Sequence, residues 1–156
     1  MTQGVAFNHV GQCVTDLARA RRFYVELLGF SVERELRPPD DLSARLLRID
    51  PPLGMTALYL ARDGFVLELL HFARRGNPPG RPRVVNEPGL THVSLSVDDL
   101  DGVLARVPEY GGEVLHDTHV GVGVFVRDPE GQLVELLPMS YRERLAGSPD
   151  AREGER

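Results

Sequence analysis

The sequence contains no lysine; all 18 of its basic residues are arginine. Schiff-base chemistry on a lysine of this chain is therefore excluded. A buried carboxylate must find its counter-charge in arginine, histidine or a metal ion. A single cysteine, Cys13, rules out an internal disulfide and a multi-thiolate metal site within the chain. No apolar run approaches membrane-spanning length, and the N-terminus lacks a basic flank followed by an apolar stretch. A cytoplasmic protein without a membrane partner is expected. The net charge of −5 and a pI near 5.5 leave no electrostatic footprint for nucleic acid. What is present is ordinary for a soluble globular protein: 156 residues, 42% hydrophobic and 26% charged, enough for one domain with a core.

The chain repeats itself. Asn8-His9-Val10-Gly11-Gln12-Cys13-Val14 aligns with Thr91-His92-Val93-Ser94-Leu95-Ser96-Val97 at an offset of 83 (92 − 9), which also carries Gly29 onto Gly112. Gly64-Phe65-Val66-Leu67-Glu68-Leu69-Leu70 aligns with Gly131-Gln132-Leu133-Val134-Glu135-Leu136-Leu137 at an offset of 67 (135 − 68). The first copy thus carries 16 extra residues (83 − 67), and the stretch 37–55, with two Pro-Pro pairs, is their natural place.

Each copy has the same element order. Residues 5–14 and 90–97 alternate as strands. Asp16 opens a helix whose apolar face holds Leu17, Ala20, Phe23, Tyr24, Leu27 and Leu28, and Gly29 ends it. Asp98 or Asp99 caps a shorter helix stopped by Pro108 and Gly111-Gly112. Three strand-like runs follow in each copy, roughly 30–36, 56–62 and 65–72, then 113–117, 122–127 and 132–138. The order is strand, helix, strand, strand, strand, twice. One module spans about 5–72 and the other about 90–139; residues 73–89 read as a linker, and 1–140 as a single domain. Residues 141–156 lack apolar periodicity and read as a flexible tail.

Four residues stand out. Glu68 and Glu135 sit in last strands that are apolar on both faces, so both strands are expected to be buried on both sides. A bare buried carboxylate costs several kcal/mol unless compensated. The period of two puts Val10 and Val14 on the helix-packing face of the first strand, and Phe7, His9, Gly11 and Cys13 on the other. In the equivalent strand, His92, Ser94 and Ser96 share the free face. The small residues Gly11, Cys13, Ser94 and Ser96, with Phe7, make a candidate substrate pocket. His9, Glu68, His92 and Glu135 form a mixed nitrogen/oxygen donor set suited to one divalent Zn, Ni, Co, Mn or Fe(II) ion.

These four residues, the Phe23-Tyr24-Val25-Glu26-Leu27-Leu28-Gly29-Phe30 helix end and Asp128-Pro129-Glu130-Gly131 resemble the vicinal oxygen chelate superfamily. That family includes glyoxalases, methylmalonyl-CoA epimerases, extradiol dioxygenases and fosfomycin or bleomycin resistance proteins. The resemblance covers about residues 5–139. It implies an α+β fold of two βαβββ modules whose curled mixed sheets form a cleft around the metal, and a homodimer. It also implies a small-molecule substrate with adjacent oxygens that chelate the ion.

The chemistry implied is lyase or isomerase chemistry, in which an α-proton moves through an enediolate. Glu135 is the first candidate for the base and Glu68 the second. An Fe(II) extradiol-type dioxygenase using His9, His92 and Glu135 is the alternative, with Fe(II) as its metal; Glu68 is then surplus. A resistance or small-molecule-binding protein is the third reading. The acid-base histidine a dioxygenase wants has candidates in His71, His116 and His119, although His71 should face the wrong side of its strand. Arg74, Arg75, Arg81 and Arg83 read as a solvated linker, with contact to an anionic substrate tail as the less favoured alternative. The insertion at 37–55 reads as a loop and candidate lid, and Tyr59 suits the pocket and the core equally.

Overall fold

The computed structural model describes residues 4–78, 80, 81 and 84–147. The chain divides into two compact units, Met1–Gly80 and Arg81–Arg156. Each holds a four-stranded mixed sheet, so the fold is α+β. Among the described residues, no helix is long and apolar enough to cross a membrane.

In the first unit the elements are β1 (Val10–Cys13), α1 (Leu17–Arg22), β2 (Ser31–Leu36), α2 (Asp40–Leu47), β3 (Met55–Arg62) and β4 (Phe65–Phe72). The sheet order is β1-β4-β3-β2, with β1 parallel to β4 and the other pairs antiparallel. Asp16 caps α1 as its sequence position predicts, its Oδ1 accepting from the Arg19 N–H at 2.9 Å. The helix runs on through a π-helical turn at Phe23–Leu27, and Gly29, at φ +72°, turns the chain out of it. Phe23 and Tyr24 are wholly buried, as are Val14, Leu60 and Leu69, in the core of this unit. The Tyr24 hydroxyl donates to Gln12 Oε1 at 3.0 Å, which fixes Val10, Gln12 and Val14 on the helix side of β1.

The insertion departs from expectation. Residues 37–55 are not a plain loop but contain α2, and both ends are tied together by one side chain. Asp40 Oδ2 accepts from the Leu53 N–H and Oδ1 from the Gly54 N–H, both at 3.0 Å. Leu53 is completely buried. β1 is also shorter than the predicted 5–14. It lies at the sheet edge, and its ladder begins at Val10 opposite Leu67.

The second unit has β5 (His92–Val97), α3 (Leu100–Arg106), β6 (Glu113–Val114), β7 (Val124–Arg127), β8 (Leu133–Pro138) and α4 (Met139–Gly147). Its order, β5-β8-β7-β6, repeats that of the first, again with the first and last strands parallel. Asp99, rather than Asp98, is the cap of α3, its Oδ1 accepting from the Gly102 N–H at 2.9 Å. A 3-10 turn at Val107–Tyr110 and Gly111, at φ +78°, end the helix. β6 covers only two of the five predicted residues. The Thr118 hydroxyl takes the Phe125 N–H at 2.8 Å and donates to the Leu115 carbonyl at 2.7 Å, so a turn replaces the ladder. The expected tail is corrected in part: residues 139–147 are helical and pack on β5 and β8. Residues 148–156 lie outside the described residues.

Candidate metal centre

The parallel pairing of first and last strands sets His9 beside Glu68 and His92 beside Glu135. Gly11 is opposite Glu68, and Ser94 opposite Glu135. His9 Nε2 lies 3.1 Å from Glu68 Oε2. His92 Nε2 lies 3.8 Å from Glu135 Oε2. Within each unit, among the described residues, no third His, Cys, Asp or Glu joins the pair.

The imidazoles are oriented alike. Asn8 Oδ1 lies 2.7 Å from His9 Nδ1, and Thr91 Oγ1 lies 2.8 Å from His92 Nδ1. An amide oxygen only accepts, so His9 Nδ1 carries the hydrogen and the Nε2 lone pair is turned toward Glu68. A lone pair and a carboxylate oxygen at that separation need a cation between them, either a proton or a metal. Two ligand atoms about 2.0–2.2 Å from one ion stand roughly 3.0–3.4 Å apart. The 3.1 Å separation of His9 and Glu68 falls within that range, and the 3.8 Å separation of His92 and Glu135 lies above it. Both pairs therefore fit a divalent ion by donor type, and the first fits by spacing as well.

The carboxylates differ. The Glu68 side chain is 11% exposed and that of Glu135 is 29% exposed. The expectation that both strands are buried on both sides thus holds for Glu68 and fails for Glu135, which stands on the more open face of β8. Ser94 does more than leave space: its hydroxyl donates to Glu135 Oε2 at 2.6 Å. Tyr59 is the cross-strand partner of Glu68 on β3. Burial pushes the Tyr59 hydroxyl above its ordinary value, the neighbouring Glu68 carboxylate adds to this, and Arg34 opposes it.

Tyr59 therefore belongs to the site and not to the core. Its ring meets His9 edge-on, with centroids 5.5 Å apart. In the second unit Phe125, the cross-strand partner of Glu135, meets His92 in the same way at 5.2 Å. Phe125 escaped sequence reasoning, which also left Tyr59 undecided between pocket and core. The signal was the hairpin register, which counts back from the Asp63-Gly64 turn to set Tyr59 opposite Glu68.

Of the other pocket candidates, Gly11 leaves its space open, since a Cβ there would lie 3.5 Å from Glu68 Oε2. Cys13 Sγ accepts from Asn77 Nδ2 at 2.8 Å. Phe7 is 66% exposed and stacks on Phe65. Ser96 is half-buried on β5. His71 shares the strand parity of Leu67 and Leu69, away from Glu68, and lines a cavity with Asp16, Arg21 and Thr56. His116 and His119 are exposed in and beside a 3-10 turn. In the linker Arg74 faces Asp40 at 3.6 Å and Arg81 pairs with Glu87 at 2.8 Å. Arg83 lies outside the described residues.

The model of the Glyoxalase/Bleomycin resistance protein/Dioxygenase superfamily matches residues 6–136. The chain belongs to this superfamily. The uncharacterized protein YaeR of Escherichia coli (strain K12) is 30% identical over 133 residues, which are 83% of this chain and 92% of YaeR. A glyoxalase family protein from Bacillus cereus superposes with a TM-score of 0.73 at 19% identity, over 88% of this chain and 97% of that one. The trypanothione-dependent glyoxalase I of Leishmania major gives a TM-score of 0.66 at 24% identity, over 88% and 89% of the two chains. At such identities the two structures speak for the fold. Members of the superfamily generally use a divalent metal, commonly act on small molecules and often form dimers.

Proposed function

We propose that the protein is a divalent-metal-dependent lyase or isomerase of the glyoxalase or epimerase type. In this reading His9, Glu68, His92 and Glu135 together hold one ion. The observation that carries it is the twofold recurrence of one imidazole Nε2 facing one carboxylate oxygen, each imidazole braced at Nδ1 by the residue before it. When bound, the metal supplies Lewis acidity toward two adjacent oxygens of a small substrate.

The residues then divide the work. Asn8 and Thr91 hold the rings so that Nε2 is presented. Tyr59 and burial fix Glu68, which suits a permanent ligand. Glu135 is more open, and among the described residues its hydrogen bond comes from the Ser94 hydroxyl. It is therefore the carboxylate placed to take the α-proton and return it. Glu68 is the second candidate, and an epimerase would use both.

The test is elemental analysis of the purified protein, followed by solvent-deuterium exchange into α-keto and thioester substrates. Glu135→Gln is expected to keep the metal and lose exchange, and Glu68→Gln to lose metal affinity. A chain with no affinity for divalent ions overturns the reading. Oxygen uptake with catechol by the Fe(II)-loaded protein would establish the dioxygenase instead.

A further inference from the structure

One row of cross-strand partners spans the first sheet: Arg34 on β2, Tyr59 on β3, Glu68 on β4 and Gly11 on β1. Arg34 is in this row because β2 carries a bulge. Ser31 faces Ala61 and Val32 faces Leu60, so an unbroken ladder would set Glu33 opposite Tyr59. The register slips by one, and Arg34 takes that place. Beside a buried carboxylate, a second carboxylate is exchanged for a guanidinium. Bulges are a device for re-aiming one side chain in this way.

The guanidinium lies over the Tyr59 ring, 4.4 Å from its centroid. That ring in turn meets His9 edge-on, and Tyr59 stands directly opposite Glu68. Among the described residues no carboxylate forms an ion pair with Arg34, whereas Arg37, Arg81 and Arg127 each hold one at 2.8–2.9 Å. A guanidinium carries five N–H donors, so one that sits over a ring still has donors to offer a carboxylate. The second sheet has no counterpart: its row runs Leu115, Phe125, Glu135, Ser94.

We propose that Arg34 binds a carboxylate of the substrate, so that the substrate is a small acid bearing that carboxylate in addition to its adjacent chelating oxygens. A single guanidinium near Glu68 suits a monoanion better than a dianionic phosphate. The proposal rests on the metal reading above.

The test measures binding to metal-loaded wild type, Arg34→Gln and Arg34→Lys. The probes are acetohydroxamate, the monohydroxamates of malonic, succinic and glutaric acid, and the methyl esters of those three. Wild type is expected to bind at least one acid about tenfold tighter than its ester. Arg34→Gln should abolish that preference while leaving metal affinity and acetohydroxamate binding unchanged, and Arg34→Lys should keep part of it. The proposal is overturned if wild type shows no acid preference or if Arg34→Gln retains it. It is equally overturned if Arg34→Gln weakens the metal and every probe alike, since Arg34 is then only a counter-charge for Glu68. Metal that binds normally and still takes no acetohydroxamate removes the chelation reading itself, and this proposal with it.

Discussion

Replacing Tyr59 by Phe removes one hydroxyl and little else. The ring keeps its edge contact with His9 and its place under Arg34, and Phe is what the second unit already uses at the equivalent position, Phe125. What is lost is the polar neighbour of a carboxylate that is almost buried. A hydroxyl beside such a group contributes at most about 1.5 kcal/mol. For a chain of this size about 1.5 kcal/mol lowers Tm by roughly 3–6 °C. Loss of a side chain that braces a ligand should also weaken metal affinity about tenfold. The pH dependence has a definite sign. The hydroxyl sits above its ordinary value when folded, so its contribution to stability is present below about pH 10, where unfolded tyrosine titrates. That contribution is lost as pH rises through the folded value. Phenolate absorbance would follow the four tyrosines; one step displaced above the ordinary tyrosine range should vanish in Tyr59→Phe, and alkaline loss of Tm should be shallower. If that step persists, or if Tm and metal affinity both match wild type, the role given to Tyr59 is wrong.

Two further outcomes concern the frame around the site. Gly29→Ala should destabilise by about 1–3 kcal/mol in thermal or urea unfolding, because Gly29 sits at φ +72° and a Cβ there would meet the Arg62 guanidinium, which donates to its carbonyl at 2.7 Å. Asp40→Ala should cost about 2 kcal/mol by orphaning the Leu53 and Gly54 N–H groups, and hydrogen exchange should speed up at those two amides while the amides of β4 stay protected.

The features that sequence made legible are those governed by local chemistry. Asp16 and Asp99 at helix starts, Gly29 and Gly111 at helix ends, and the alternation around His9 and His92 each depend on a few neighbouring residues. So did the pairing of His9 with Glu68, because the repeat aligned both. The features that escaped depend on partners far along the chain. α2 is framed by Asp40 reaching Leu53 and Gly54, and β6 is cut short by the Thr118 hydroxyl. The bulge that turns Arg34 rather than Glu33 toward Tyr59 is a register event that alternation alone points the wrong way. The openness of Glu135 escaped for a related reason: apolar neighbours in sequence do not say which face of a strand another layer covers.

The parallel pairing of β1 with β4 has a consequence for how the donor pair comes into being. β1 is the first strand of its module and β4 the last, and their contact is the seam at which the module closes. His9 and Glu68 straddle that seam, so neither donor meets the other until everything between them is in place. β5 and β8 impose the same rule on His92 and Glu135. An ion captured by either pair would therefore act as a latch on a closed module, its binding energy falling on a long-range contact between first and last strands, of the kind chain entropy opposes most.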